Sequence, residues 1–289
     1  MALFTDKETG STIALPLREA TPERVAAAID RKRRDFREKR AVLKAADRKL
    51  ALWEHRAAAS IARQFRAEHE DVRVTFVRDG AEAALRRPAD LAPHMEGALR
   101  GVYAKVAADF SVWALRAVRA LAPGRTLAVA KADPFVEDQA RWIREQAARK
   151  VVGIADTTRE RLRATIELGV QGGETVQQVA RRIDDLYLDE IIPNRSMVIA
   201  RTEVGASANF ASHDAAACGA RQAGFELNKV WNAIQDDRTR DDHADADGQV
   251  VAMSEPFQVG GDLLAWPGDP AGDPEQIIQC RCFLTYEPA

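Results

Sequence analysis

Apolar residues recur every seven positions early in the chain, at Ile29, Phe36, Leu43, Leu50 and Ala57. Val25, Ala46, Trp53, Ile61 and Phe65 fall near the same stripe, and Lys32 and Lys39 interrupt it. Thr21 suits an N-cap and Pro22 the first helical position. Neither Gly nor Pro occurs from Glu23 to Glu70. The pattern predicts one helix over about 22–70, ~70 Å long at 1.5 Å per residue. Its seam needs a partner helix, so a helical hairpin, a bundle or an oligomer contact is expected. Val72, Val74 and Phe76 then alternate, which predicts a short strand over Val72–Val77. Asp79-Gly80 marks a turn.

The helical period returns over 81–121, with Pro88 and Pro93 expected to break its start and Pro123-Gly124 to end it. Residues 123–134 read as a linker. Further helices are expected at about 135–150, 152–169, 174–187 and 195–218, punctuated by Gly169 and Gly172-Gly173. Alanine is abundant between residues 20 and 225 and is the best helix former. After Gly224 the pattern changes. Turn dipeptides cluster there, among them Asp247-Gly248, Gly260-Gly261 and Pro267-Gly268. Lys229–Ala233, Gln249–Ala252 and Ile277–Tyr286 are the strand candidates. The fold class expected is mainly α with a small C-terminal α+β module. Residues 1–149 form a helical N-terminal region. Residues 150–289 form a second domain, helical over 150–223 and loop-rich with strands over 224–289.

The chain has 289 residues, 46% of them hydrophobic and 30% charged. That apolar fraction excludes disorder as the dominant state. No stretch approaches the ~18 consecutive apolar residues of a membrane span. The N-terminus lacks an apolar h-region, so no secretory leader is expected. Three cysteines cannot build a disulfide framework, and a reducing compartment is expected. The net charge of -2 argues against nucleic acid at first sight. It is an average: residues 18–78 hold 17 basic and 10 acidic residues, whereas 228–279 hold 3 and 11. The basic run Arg31-Lys32-Arg33-Arg34 is either a solvated helix face or a contact for phosphates or an acidic partner.

Candidate chemistry concentrates near the C-terminus. Cys280 and Cys282, two apart on a predicted strand, would share one face. With His243 and one carboxylate (Asp237, Asp245 or Asp269) they make a four-ligand zinc set. A metal would also explain how so loop-rich a module stays folded. The competing reading is two small buried residues and a turn-capping histidine. His243 beside Asp237 and Arg238 also admits a general base in a metal-dependent hydrolase or nuclease. No nucleophile, phosphate loop or paired carboxylates accompany it. Arg201 and Glu203 are two apart on a predicted helix, so each needs a partner elsewhere, expected in the C-terminal module. Asn209 and His213, four apart, form a polar stripe toward that module. Cys218 reads as a small buried residue.

Taken in order, these residues resemble the Mu F-like phage head-morphogenesis, or minor head protein, family. The resemblance runs over about residues 150–289. It opens with Thr157-Thr158-Arg159-Glu160-Arg161-Leu162, then Ala180-Arg181-Arg182-Ile183, Ile199-Ala200-Arg201-Thr202-Glu203 and Asn209. Lys229-Val230-Trp231 follows, then Asp237-Arg238-Thr239-Arg240 with His243, and Asp247-Gly248. Phe257, Pro267-Gly268-Asp269-Pro270 and Cys280-Arg281-Cys282 complete it. Gln279 departs from the family's usual Asn before Cys-Arg-Cys, which puts a turn hydrogen bond in question. The resemblance implies a non-enzymatic virion protein at the capsid interior or portal vertex, made in the host cytoplasm. It implies portal, capsid or scaffold proteins and packaged double-stranded DNA as partners. It also implies metal binding through the His and Cys positions, here His243, Cys280 and Cys282. Arg201, Glu203, Trp231, Arg238, Arg240, Asp247, Gly248, Asp269 and Arg281 fall in its structural motif.

Overall fold

The computed structural model describes residues 2–5, 12–16, 21–124 and 134–289. The expected linker falls almost wholly outside them. The chain divides into two compact units, residues 1–49 and 50–289. The smaller holds a hairpin that the sequence pattern does not predict, β1 (Ala2–Thr5) against β2 (Thr12–Leu15), paired from Ala2↔Leu15 to Thr5↔Thr12. It also holds the first part of α1 (Pro22–Asp79).

α1 runs past its predicted end and takes in Val72–Val77, where a strand is expected from the sequence. The heptad stripe decides the matter. Leu50, Ala57, Ile61 and Phe65 are buried, and Val72 and Phe76 continue them at helical spacing. Val74, which a strand would place beside them, is 50% exposed. Gly80, at φ 87°, turns the chain into α2 (Ala81–Leu121). The hairpin is antiparallel: the Trp53 indole donates to Asp109 at 2.8 Å, and Arg87 pairs with Asp71 nearer the turn. Pro88 and Pro93 do not break α2. Each removes one ladder donor, but Leu85, Pro88, Met95 and Leu99 keep one buried face through both.

α3 (Pro134–Gln171) replaces the two helices expected there and passes through Gly153 and residue 150. An isolated glycine lowers helix stability without ending the helix. α4 (Val176–Asp185) opens on a capping box between Thr175 and Gln178. A π-helical stretch, Leu186–Arg195, leads without a break into α5 (Ser196–Ala223). The wider turn accommodates Pro193 and buries Leu186, Tyr187, Ile191 and Ile192. α5 is the centre of this unit. All eight residues from Thr202 to Asn209 are buried, so every side of the helix is covered there. Gly224, in the left-handed region at φ 67°, ends it.

The C-terminal module is a three-stranded antiparallel sheet, β4-β3-β7, and a separate hairpin, β5-β6. The strands are β3 (Leu227–Asn232), β4 (Val250–Ala252), β5 (Phe257–Val259), β6 (Asp262–Leu264) and β7 (Phe283–Pro288). Two short helices, α6 (Asp241–Asp245) and α7 (Pro274–Ile277), sit between them. Trp231, Phe257, Val259, Leu264 and Leu284 form their shared core with Cys280 and Cys282. The mainly helical fold with a small β-containing module is thus as expected. The third strand is shorter than predicted. Ile277 closes α7, and Gln279 takes φ 58°, which no strand tolerates.

Candidate metal centre

His243, Cys280 and Cys282 come together although Cys280 and Cys282 are not in a strand. Their ligand atoms lie within 4.8 Å of one another, and all three residues are buried. His243 Nδ1 is 3.2 Å from Cys282 Sγ and 3.6 Å from Cys280 Sγ. In tetrahedral zinc, with Zn–N and Zn–S bonds of ~2.0 and ~2.3 Å, the N···S edge is about 3.6 Å. The two N···S separations are therefore close to the edges of such a site.

The histidine is oriented for that role. The Gln276 side-chain amide donates to Asp242 at 2.7 Å, which turns its carbonyl oxygen to His243 Nε2 at 3.1 Å. Nε2 therefore carries the proton, and the Nδ1 lone pair faces the two sulfurs. Gly260 makes room for this relay. A Cβ there would meet Asp242 Oδ2 at 2.5 Å and Gln276 Nε2 at 2.9 Å. The Trp231 ring stands edge-on to His243, with centroids 5.8 Å apart.

The thiols are electrostatically unequal. The neighbouring Cys282 S–H holds Cys280 well below the usual thiol range, against its burial. Cys282 is pushed up by its hydrogen bond to Cys280 and by burial. The Trp231 indole pulls Cys282 the other way, toward its thiolate. That indole nitrogen is buried without a hydrogen-bond partner among the described residues. Beside the thiols is a cavity of about 20 Å³ bordered by Ile234, Thr239 and Arg240. It has room for about one water molecule.

Of the carboxylates considered as a fourth ligand, none belongs to the group. Asp237 and Asp245 are exposed. Asp269 is buried and braces its own turn, accepting from the Ala265 and Ala271 amides at 2.9 and 3.0 Å. The loop 234–240 covers the site through ordinary polar contacts. Asp236, which sequence reasoning misses, accepts from the Arg238 amide at 3.1 Å and from Arg281 at 2.8 Å. The Arg281 hydrogen bond holds the Asp236 carboxyl well below the usual range. Arg240 reaches the Ile278 carbonyl at 2.5 Å. Asp247 accepts from the Ala233 amide at 2.9 Å, and Gly248 follows at φ 81° to close the turn.

α5 anchors the cysteine loop. Thr202 Oγ1 accepts from the Gln279 amide at 3.0 Å. Arg201 donates to the Gln279 side chain at 3.0 Å and to Glu54 on α1 at 3.1 Å. Asn209 donates to the Cys282 carbonyl at 2.9 Å. His213 meets the Met253 carbonyl at 3.1 Å, and burial, then Lys229, lower its pKa to about 4. The expected polar stripe toward the module is therefore present. Glu203 turns elsewhere. It accepts from the buried Tyr103 hydroxyl at 2.5 Å and pairs with Lys150 at 3.4 Å, both in the helical body. Gln276 and Asp242, which orient the histidine, carry no distinguishing signal in the sequence.

The basic run lies on α1 in the smaller unit. Arg31, Lys32 and Arg34 are exposed and Arg33 half-buried. Four successive helical positions turn through about 300°. The run therefore rings the helix and does not form one face.

Residues 160–285 match the family described as Phage Mu protein F like protein. The chain is similar to "Uncharacterized protein YqbB" of Bacillus subtilis (strain 168), at 24% identity over half of this chain and 47% of that protein. It is also similar to "Minor head protein GP7" of Bacillus phage SPP1. There the identity is 32%, over 42% of this chain and 38% of that protein. The chain thus spans less than half the length of these curated relatives. No solved structure gives a significant match. Residues 160–285, which carry α4, α5 and the cysteine loop, are thus the part of the chain that is similar to the Phage Mu protein F like family.

Proposed function

We propose that the chain is a minor capsid, or head-morphogenesis, protein of a tailed bacteriophage or prophage. It acts near the portal in head assembly, DNA packaging or ejection. Its place is the capsid interior or portal vertex, reached from the host cytoplasm during assembly. The family match over residues 160–285 carries this reading, and the similarity to the minor head protein of phage SPP1 supports it. Portal, capsid or scaffold proteins are the partners. Packaged duplex DNA is a further one, met by Arg31, Lys32, Arg33 and Arg34 without sequence preference. Among the described residues no helix is long and apolar enough to cross a membrane.

The His243, Cys280 and Cys282 group serves as a structural zinc site in this reading. Its burial and its one-water cavity suit a brace for a loop-rich module better than a hydrolase or nuclease site, which must admit a phosphodiester. Metal bound there would join α6 to the cysteine loop, which α5 anchors.

Deletion of the gene from an inducible prophage tests the assignment. The expected result is two-fold: the chain co-purifies with wild-type heads far below the major capsid protein, and deletion lowers the yield of DNA-filled or infectious particles. Its absence from heads, together with an unchanged yield, overturns the assignment.

A further inference from the structure

A groove of about 400 Å³ runs between α1 and α2 in the larger unit. Trp53, Arg56, Ser60 and Arg63 form one wall. Gly97, Ala98 and Gly101 form the floor, and Lys105 the opposite rim. Trp53 is level with Asp109, which it hydrogen-bonds, so the antiparallel register sets Arg56 across from Lys105 and Arg63 beside Gly97. Arg56 and Arg63 are seven residues apart, about 10 Å along the axis. Cations therefore mark both ends of the groove.

Two observations set this groove apart from the rest of the hairpin surface. Gly97 and Gly101 are exposed, have no positive φ, and a Cβ at either would meet nothing within 4 Å. The fold itself does not require glycine there, yet each mid-helix glycine costs about 1 kcal/mol against alanine. A smooth floor serves only a surface that approaches closely. Secondly, among the described residues Arg56, Arg63 and Lys105 have no carboxylate partner. Arg56 lies over the Trp53 ring, 5.1 Å from its centroid. Most other arginines of the hairpin's far end, such as Arg73, Arg78 and Arg87, are paired.

We propose that this groove docks an acidic amphipathic helix of a partner protein. The small-residue floor admits a helix at short axial distance, as ridges packing into a groove. The volume takes three or four inserted side chains, and the rim matches carboxylates two turns apart on the incoming helix. Duplex DNA, about 20 Å across, would touch the rim and leave the apolar floor unused. The inference stands on the hairpin alone and does not depend on the virion assignment.

The test titrates the full-length protein against a labelled peptide of about 18 residues, long enough to be helical. It carries an Ala/Leu face flanked by Glu residues seven apart, and a second peptide carries Lys at those positions. Fluorescence anisotropy should show binding of the acidic peptide only. Arg63→Glu should weaken it about tenfold or more and should gain binding of the Lys peptide. Gly101→Leu should abolish binding while the melting temperature holds or rises. Equal binding of both peptides overturns the proposal, as does no effect of Arg63→Glu. Displacement of the peptide by a random-sequence DNA duplex, with the same variants losing the duplex, reassigns the groove to nucleic acid. If Gly101→Leu does not fold, the charge swap at Arg63 alone decides.

Discussion

Glu68 sits on the buried face of α1, 7% exposed, and accepts from the Tyr187 hydroxyl at 2.8 Å. Burial raises its pKa from 4.5 to about 7, and the Tyr187 bond and Arg195 only partly oppose that rise. The folded state therefore binds a proton that the unfolded chain has released between those two values. Stability must fall as pH rises from about 4.5 through 7 and level off above. Each pH step of one across that window removes about 1.4 kcal/mol, so about 3 kcal/mol is lost in all. Glu68→Gln keeps an acceptor for Tyr187 and removes the charge. It is expected to match wild type near pH 5 and to exceed it by up to about 3 kcal/mol at pH 8. For a folded body of this size that is about 6–12 °C in Tm. Thermal and urea melts of both proteins at half-unit steps from about pH 5 to 8.5 measure the difference, which cancels groups common to both. A difference that is flat with pH, or that favours wild type at pH 8, would refute the buried-carboxylate account.

Three further outcomes are expected. His243→Ala and Cys282→Ser should each lose one equivalent of zinc by elemental analysis and lower Tm; a metal-free wild type of unchanged stability under chelation sinks the structural site. Gln279→Asn should stabilise by up to about 1 kcal/mol, because asparagine tolerates the left-handed region that Gln279 occupies at φ 58°; a loss exceeding that amount would mean the Arg201 contact dominates. Replacing Arg31, Lys32, Arg33 and Arg34 by Ala in the full chain should weaken random-sequence duplex binding and flatten its salt dependence; unchanged binding at low salt removes those residues from the interface.

The long helices are legible because each buries a stripe of fixed period, and α1 carries that stripe from Leu50 to Phe76. The same cue misleads at Val72–Val77, since three alternating residues are too few to separate a strand from the end of a helix. Pro88, Pro93 and Gly153 look like breaks because local propensity takes no account of the buried face that carries a helix across them. At the candidate centre, His243, Cys280 and Cys282 can be named from residue type. Strand alternation does not explain their meeting, because Gln279 leaves the strand and a turn brings the sulfurs round. The partners of Arg201 and Glu203 lie far along the chain, at Gln279 and Glu54 for one and at Tyr103 and Lys150 for the other. No short-range pattern encodes contacts at that separation. Gln276 is invisible for a different reason: an exposed-looking amide in a one-turn helix acquires its role only from what stands opposite.

α5 is lined with Ala, Gly and Ser on nearly every buried side. Alanine and glycine have no side-chain rotamers to lose when they are ordered. The centre of the larger unit is therefore assembled at a low side-chain entropy cost, and its cohesion comes from backbones lying close together. Such packing has no flexible side chain to absorb an added methyl group, as the 3.1 Å separation between a Cβ at Gly205 and the Cys280 carbonyl illustrates. α5 behaves as a stiff, narrow spine whose amide hydrogens should exchange among the slowest in the chain, and the cysteine loop inherits that rigidity through Thr202 and Asn209.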